Sequence, residues 1–421
     1  MANGKAVIEL VSGLVRALRA GRRKARGQLL LAFVIAGSCG LFLAVNHQSC
    51  AASLASRSEF VTTDGTHFVL GDKRFDVAGV NNHYLTFGSH EEVTRVLDDA
   101  VIMGANVVRT FIQPVIGSLN GRVPTIWDRN SKASSSDLGV HGAYVLFWDD
   151  KSGHMGINDG PDGLTRLDWL IAEAEKRHLK LIISFLDYWG YTGGIQQMQA
   201  WYGGADKHSF FFSDPRSLAD YRRFVSHVIG RSNSITGQVY RDDPTIFAWE
   251  LANEPDIRPK DLMLRWIADM SAYVKSIDGN HLVTSGRANQ GVGLSDIDVA
   301  SLDFVTWHGY PKYLGVTPEA FNQKIVEYCQ VAESHGKPVL LEEFGLARSA
   351  GDQAAIYHQW LTTIASNSNC AGWLIWRLVS TQDDGKYPDD EDDQFDIRND
   401  SGPAWNVLRD AASAAGRVSR Q

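Results

Sequence analysis

The chain has 421 residues, of which 44% are hydrophobic and 21% charged, so it can bury a large core. Its formal net charge of -8 excludes the broad basic face that binding to nucleic-acid phosphates requires, and favours a substrate with little or no charge. Aromatic residues make up 10% of the chain, and most of them are expected in the core.

The first 52 residues differ in composition from the rest. An apolar run at 29–45 follows six basic residues, Arg16, Arg19, Arg22, Arg23, Lys24 and Arg26. This pattern predicts a membrane-inserting segment, either a cleaved secretory signal that ends near 49–52 or an uncleaved anchor. In both alternatives the positive-inside rule places the rest of the chain, after a linker at 53–59, outside the cytoplasm.

The cysteines leave two alternatives open. Removal of a signal would take away Cys39 and Cys50 and leave Cys329 and Cys370. An even pair in an oxidising compartment permits one disulfide, and two buried free thiols are the other possibility.

From residue 60 onwards, short apolar strands alternate with amphipathic helices. A hairpin with its turn at Asp64-Gly65 is predicted over 60–70, where we expect it to close the bottom of a barrel. The predicted strands then lie at 74–80, 105–111, 179–185, 245–251, 281–285, 303–307, 338–342 and 372–376. The predicted helices lie at 90–103, 163–178, 215–232, 259–277, 318–335 and 352–366. This alternation predicts a single (β/α)8 TIM barrel over 60–421.

Two segments fall outside the alternation. Residues 113–162 are rich in Gly, Ser and Asp and too long for an ordinary barrel connection, so we interpret them as an elaborated loop over the active face, after the second strand. The acidic stretch 389–393 lacks the ligand spacing and central glycine of a calcium loop, and is predicted to be a solvated loop.

Two of the predicted strands end in glutamate. The strand at 245–251 runs into Asn253-Glu254 and stops at Pro255, and the strand at 338–342 runs into Glu342-Glu343. Chemistry in a parallel barrel sits at the C-terminal strand ends, so a carboxylate pair is expected across its mouth. Retaining cleavage of a glycosidic bond needs such a pair, about 5 to 5.5 Å apart, with one acid to protonate the leaving oxygen and one to attack the sugar.

The second carboxylate of the pair is either Glu342 or Glu343. Because side chains alternate along a strand, only one of them is expected to face the barrel axis, and periodicity does not say which. For Glu254 taken alone, a solvated strand-end acid is the alternative interpretation.

Residues 242–255, with the sequence DDPTIFAWELANEP, resemble the corresponding stretch of family 5 glycoside hydrolases, specifically the β-mannanase branch. Further motifs agree in order, namely GVNNHYL at 79–85, VVRT at 107–110, IISFLDYW at 182–189, WHGYP at 307–311 and GWLIW at 372–376. The resemblance extends from about residue 60 to the C-terminal helix and excludes the loop at 113–162.

The resemblance implies that Glu254 is the acid/base and Glu343 the nucleophile, which decides between Glu343 and Glu342 by analogy. The acid must hold its proton near neutral pH, so we expect burial or a neighbouring negative charge to raise the pKa of Glu254. The nucleophile must stay ionised.

The resemblance also implies a set of substrate-binding residues. Arg109 and Tyr310 would hold the nucleophile charged, Asn253 would bind the sugar 2-hydroxyl, His308 would orient the acid/base, and Trp376 would lie under the sugar at the cleavage point. Taken singly, each has a structural alternative, such as an ion pair for Arg109 or core packing for Trp376.

Other aromatic residues have two alternative interpretations. Trp189 and Trp201 are candidate substrate platforms, with loop packing as the alternative, and the same choice holds for Trp127, Trp148 and Tyr191. The chain also departs from the family pattern at Asp187, Tyr188, Asp256 and Arg377, which leaves the identity of the polysaccharide open.

The sequence therefore predicts a retaining glycoside hydrolase that cleaves internal β-1,4 linkages of mannan or glucomannan. No metal or organic cofactor is implied, and the expected partner is a β-linked glycan rather than nucleic acid. The alternatives are the same machinery acting on another β-glycan or in transglycosylation, and a carbohydrate-binding protein without catalysis. The protein is expected to be secreted, or held at the membrane by the N-terminal segment alone.

Overall fold

The computed structural model describes residues 59–126, 139–290, 293–388 and 394–418. The predicted leader at 1–52, linker residues 53–58, Trp127 and the acidic stretch at 389–393 lie outside these ranges. None of the helices in the described ranges combines the length and the apolar character needed to span a membrane.

Eight parallel strands form the central sheet. They are β1 (Val77–Asn81), β2 (Val107–Phe111), β3 (Lys180–Ser184), β4 (Ile246–Glu250), β5 (Leu282–Thr284), β6 (Val305–Gly309), β7 (Val339–Phe344) and β8 (Gly372–Ile375). Neighbours in the chain pair side by side, and β8 returns to pair with β1. Within the described residues β5 and β6 share no ladder, so the barrel is nearly closed. This confirms the predicted (β/α)8 barrel.

Ten α-helices are present in the described residues. They are α1 (His90–Met103), α2 (Leu164–Lys176), α3 (Gly194–Trp201), α4 (Phe210–Ser213), α5 (Pro215–Ile229), α6 (Lys260–Ile277), α7 (Pro311–Leu314), α8 (Pro318–His335), α9 (Gln353–Ser366) and α10 (Pro403–Val418). The predicted bounds of α1 agree with the structure because both ends are capped. Ser89 and Glu92 form a capping box at its start, and Gly104 adopts a left-handed φ of 83° after its last turn.

The barrel interior is apolar at its N-terminal end. Inward-facing residues there join those of the predicted hairpin, whose strands are Val61–Asp64 and His67–Leu70. The ring of Phe68 packs edge-on against Phe247 at 4.9 Å and against Phe304 at 5.1 Å. The hairpin therefore closes the bottom of the barrel, as predicted.

Two positions further along the same strands, the inward-facing residues become polar. Val107 is followed on its face by Arg109, and Leu340 on its face by Glu342. On β4, Glu250 likewise follows Ala248. Because side chains alternate with a period of two, one strand contributes both to the apolar layer and to the charged layer above it.

The long segment after β2 contains structure that we did not predict. Strands Val115–Ser118, Leu146–Asp149 and His154–Ile157 form a separate three-stranded sheet. The segment interpreted as an elaborated loop therefore contains a small sheet of its own. Each of these strands has four residues, and the first pairs with one about thirty residues later, so no local periodicity indicated them.

A disulfide links Cys329 on α8 to Cys370, just before β8, across 41 residues of chain. Such a cross-link mainly restricts the unfolded chain and stabilises a protein by about 2–4 kcal/mol. We therefore expect Cys329→Ser/Cys370→Ser to unfold at lower urea concentration than the wild type, with a steeper denaturant slope because its unfolded chain is less compact. The matched control is the wild type in reductant, which should unfold together with the variant. Equal midpoints for oxidised wild type and variant would contradict this prediction.

Candidate active site

Arg109 lies at the centre of the charged layer and uses all its donor groups. Its Nε and Nη2 each donate to a carboxylate oxygen of Glu250, both at 2.8 Å. Its Nη1 donates to Glu343 Oε1 at 2.6 Å and to Asn81 Oδ1 at 3.0 Å. Nη2 also donates to Asn253 Oδ1 at 2.7 Å. One side chain on β2 thus fixes groups from β1, β4 and β7.

Arg109 is fully buried, and its charge is held by the acids around it. Burial acts to lower the pKa of Arg109, but the negative charges of Glu250, Glu342 and Glu343 raise it well above its ordinary value. The guanidinium is therefore a permanent cation in a site closed to water, where it stabilises neighbouring carboxylates strongly.

Glu343 lies at the end of β7 and is 4% exposed. Its Oε2 accepts a hydrogen bond from the hydroxyl of Tyr310 at 2.6 Å, and its Oε1 accepts from Arg109. Burial raises the pKa of Glu343 above its ordinary value, and the positive charges of His308 and Arg109 offset only part of that rise. Two donors thus orient a carboxylate that is little stabilised by water.

Glu254 lies just beyond β4, and its side chain is 17% exposed, so it can be reached from the cleft. The residue has a left-handed φ of 49°, and its amide donates to Gly286 O at 2.8 Å, which turns the chain at this point. The carboxylate contacts donors on both oxygens, His308 Nδ1 at 2.6 Å and Trp189 Nε1 at 2.7 Å.

The electrostatics of Glu254 differ from our expectation of a raised pKa. Burial acts to raise it, but the hydrogen bond and charge of His308 and the bond from Trp189 outweigh burial, and the pKa lies below its ordinary value. Burial likewise acts to lower the pKa of His308, and the charge of Glu343 together with bonds to Glu254 and Glu342 raises it to about 10. In the free site the proton therefore rests on His308, one hydrogen bond away from Glu254.

Glu342 also faces the barrel interior, which corrects the expectation that only one of the adjacent acids would do so. Its Oε2 lies 3.3 Å from His308 Nε2 and its Oε1 lies 3.5 Å from Arg109 Nε. Glu342 follows Leu340 on the inward face by ordinary alternation, and a shift in register between β6 and β7 brings Glu343 to the site beside it. Trp307 pairs with Leu341, but the next residue, His308, pairs with Glu343, so one extra residue is accommodated and strict alternation is lost.

Trp376 follows β8. Its indole stacks with the rings of Phe111 and His83, each with its centroid 6.1 Å away. The ring of Phe111 also lies under the guanidinium of Arg109, at 4.8 Å. Trp376 is half-buried, so one part of its ring remains available to the cleft.

The two other tryptophan candidates differ in position. Trp189 is 37% exposed and contacts Glu254 directly, so it belongs to the cleft. Trp201 does not. It is 7% exposed, packs near Trp148, and donates its indole N–H to Ile116 O at 3.1 Å. Trp201 therefore packs in the core beneath the three-stranded sheet that follows β2, which corrects the expectation that it forms a substrate platform.

Sequence reasoning missed Glu250 and Asp187 as parts of the site. Both acids are buried, and burial raises the pKa of Glu250 to about 8 and that of Asp187 to about 7. Asp187 accepts a hydrogen bond from Asn253 Nδ2 at 2.9 Å. A charged residue on the inward face of an apolar strand was the available signal for Glu250, because that face is buried in a barrel.

The carboxyls of Glu254 and Glu343 lie close together. One carboxylate oxygen of Glu254, one of Glu343 and a ring nitrogen of His308 all lie within 4.8 Å of one another. The hydrogen bond between His308 and Glu254 accounts for part of this closeness. Two carboxyls at this separation, one beside a proton-bearing imidazole and one held by two donors, can supply a proton and a nucleophile to the same bond.

Loss of the Trp189 hydrogen bond should change the titration of Glu254. In Trp189→Phe the ring remains but the donor is gone, so the pKa of Glu254 is expected to rise and kcat/KM to change by about two- to tenfold. The pH profile of kcat/KM checks this, with Trp148→Phe as the matched control. An unshifted profile in Trp189→Phe would show that the bond does not act on Glu254.

Comparison with known proteins identifies mannan endo-1,4-beta-mannosidases among the relatives of this chain. Residues 160–367 match a family model described as GH family 5 beta-mannosidase-like. A probable mannan endo-1,4-beta-mannosidase A-2 of Aspergillus terreus is 30% identical over 79% of this chain and 81% of its own length. A probable mannan endo-1,4-beta-mannosidase F of Emericella nidulans is 31% identical over 80% and 75%, respectively.

Solved structures give the same result. The endo-1,4-beta-mannanase from Rhizomucor miehei superposes with a TM-score of 0.71 at 28% identity, over 85% of this chain and 99% of that one. The endo-beta-1,4-mannanase from Thermotoga petrophila superposes with a TM-score of 0.66 at 30% identity, over 81% and 77%. The similarity to each of these structures thus covers more than four fifths of this chain.

Proposed function

The chain belongs to glycoside hydrolase family 5 and is a glycoside hydrolase, and we propose that it cleaves internal β-1,4 linkages of mannan and glucomannan with retention of anomeric configuration. The observation that supports retention is that one carboxylate oxygen of Glu254 lies within 4.8 Å of one carboxylate oxygen of Glu343. Inverting enzymes need about 6.5–9.5 Å between their carboxyls to admit a water, so this site favours direct attack by one carboxylate.

In the first step Glu343 attacks the anomeric carbon as Glu254 gives its proton to the glycosidic oxygen, and the carbon–oxygen bond to the leaving sugar breaks. Glu254 obtains that proton along its 2.6 Å hydrogen bond from His308. The charge of Glu343 disappears as its bond to the sugar forms, with Arg109 and Tyr310 holding its two oxygens in place. Approach of the polar leaving oxygen displaces Trp189 from Glu254.

In the second step Glu254, now ionised, takes a proton from water, and the resulting hydroxide displaces Glu343 from the sugar. Two inversions give net retention. Asn253 is proposed to bind the 2-hydroxyl, and its amide is fixed by Arg109 on one side and Asp187 on the other. Trp376 is proposed to support the sugar ring at the cleavage point.

We also propose that the enzyme acts outside the cytoplasm. The disulfide between Cys329 and Cys370 supports this location, since such bonds persist in oxidising compartments. A polymeric substrate supports it as well. Whether the segment at 1–52 is a cleaved signal or an anchor stays a prediction from the sequence.

The deciding experiment is a substrate screen with product analysis. Purified protein is incubated with mannan, glucomannan and cellulose, and we expect a mixture of short oligosaccharides from the first two and little from the third. NMR of the first-formed product should show the β anomer. Glu343→Gln serves as the negative control. Absence of release from mannan would overturn the substrate assignment, and an α product would overturn retention.

A further inference from the structure

A second pair of acids lies beneath the catalytic carboxylates, away from the cleft. Glu250 on β4 and Glu342 on β7 are both fully buried, with no exposed side-chain area. Both contact the same atom, Arg109 Nε, at 2.8 Å for Glu250 Oε2 and 3.5 Å for Glu342 Oε1. Neither side chain can reach substrate, so any role in the reaction must act through other residues.

The Oε1 atom of Glu342 is buried and accepts no hydrogen bond from any N–H or hydroxyl donor in the described residues. A buried carboxylate oxygen without a donor is costly. The carboxyl of Glu250 is the neighbour that can supply one, provided that it carries a proton. Burial acts to raise the pKa of Glu342, but the charge of Arg109, the hydrogen bond and charge of His308 and a hydrogen bond from Glu250 together lower it. The pair is then satisfied with a single negative charge.

Resting this inference on the proposed hydrolytic function, we propose that Glu250 and Glu342 share one proton and act together as a positioning pair. The single negative charge of the pair faces His308 Nε2 and holds the opposite ring nitrogen, Nδ1, as the donor to Glu254. The uncharged half still accepts from Arg109, but it competes less with Glu343 for the charge of the guanidinium. A second negative charge would draw the guanidinium away from the nucleophile.

The surrounding groups are consistent with one retained proton. The pair is faced by Arg109 from β2, His308 from β6 and the hydroxyl-bearing Tyr221 from α5. Burial raises the pKa of Glu250 to about 8, with the negative charge of Glu342 adding to the rise. Space for the acid depends on Gly286, since a Cβ there would lie 2.5 Å from Glu250 Oε1.

The test compares Glu250→Gln, Glu342→Gln and the double variant. Each single substitution replaces a shared-proton pair by a carboxylate and an amide, which keeps one charge and one donor, so kcat/KM should fall by about tenfold or less. The double variant has no charge, and its loss should exceed the product of the single losses by about tenfold or more. Glu173→Gln on α2, a buried acid paired with Lys176 and Arg177, is the matched control.

The pH profile separates this role from a merely structural one. In the wild type, kcat/KM should fall as pH rises through the pKa of about 8, because the pair gains a second negative charge. Neither single variant has that proton to lose, so this fall should be absent from both. The proposal would be overturned by a folded single variant that is as inactive as the double variant, or by losses of kcat/KM that are merely additive. It would also be overturned if the alkaline fall in kcat/KM were unchanged in the single variants.

Infrared spectroscopy tests the proton without any substrate. Protein labelled with 13C-glutamate should show a protonated glutamic acid band that disappears between about pH 6 and pH 10, on either side of the pKa of about 8. The band should be missing from both single variants. Its absence from the wild type would overturn the proposal even if the variants fail to fold. Failure of the wild type to hydrolyse mannan would instead overturn the proposed function and leave this measurement intact.

Discussion

Glu343→Gln is expected to lower kcat on mannan by at least about ten-thousandfold while the protein stays folded. Removal of a nucleophile abolishes the covalent route, and what remains is the effect of binding and electrostatics. Glutamine keeps the size of the side chain; its amide oxygen can accept from Arg109, and its NH2 group can donate to the hydroxyl oxygen of Tyr310. Thermal unfolding should therefore change little, and steady-state kinetics on mannan measure the loss.

Glu342→Gln is the control for this prediction, because the two acids are adjacent and equally buried. The loss of kcat in Glu342→Gln should be smaller than that in Glu343→Gln by several orders of magnitude. The opposite result, a nearly active Glu343→Gln with an inactive Glu342→Gln, would assign the nucleophile to Glu342.

Chemical rescue gives a second readout for Glu343. In Glu343→Ala, added azide can occupy the space of the missing carboxylate and attack the anomeric carbon from the same face. One inversion would then give an α-glycosyl azide from an activated β-mannoside. Rescue with a β product would show that the missing group acts from the opposite face, as an acid/base does.

The sequence predicted the barrel well because its strands are short apolar runs bounded by capped helices. The strand ends at Asn253-Glu254 and Glu342-Glu343 also indicated where chemistry would lie. Both signals are local, since they depend on side-chain alternation and on residues that stop a strand.

The features that were missed depend on contacts between distant parts of the chain. The register shift that brings Glu343 into the site beside Glu342 is a property of the ladder between β6 and β7, which no single strand encodes. The lowered pKa of Glu254 needs His308 and Trp189, which are brought to it from β6 and from the end of β3. Trp201 is similarly buried against the three-stranded sheet that follows β2, where its indole N–H donates to Ile116 O.

Glu254→Gln is expected to reduce kcat/KM on mannan by about a hundred- to ten-thousandfold, the usual contribution of a general acid. A sugar alkoxide is a poor leaving group and needs the proton, whereas an activated aryl leaving group does not. With an aryl β-mannoside carrying such a group, the first step should be much less affected. The second step still lacks its base, so the glycosyl-enzyme should accumulate after a burst.

The pH dependence of wild-type activity follows from the proton that His308 passes to Glu254. The pair of His308 and Glu254 retains it below the His308 pKa of about 10, so acid assistance is lost as pH rises through that value. On the acid side, activity falls as Glu343 becomes protonated through its raised pKa. In Glu254→Gln assayed with the activated substrate, the acid limb should remain because Glu343 is intact. The fall through the pKa of about 10 should weaken, while the fall through the pKa of about 8 assigned to Glu250 and Glu342 should remain. Equal losses on mannan and on the activated substrate would show that Glu254 does not act on the leaving group.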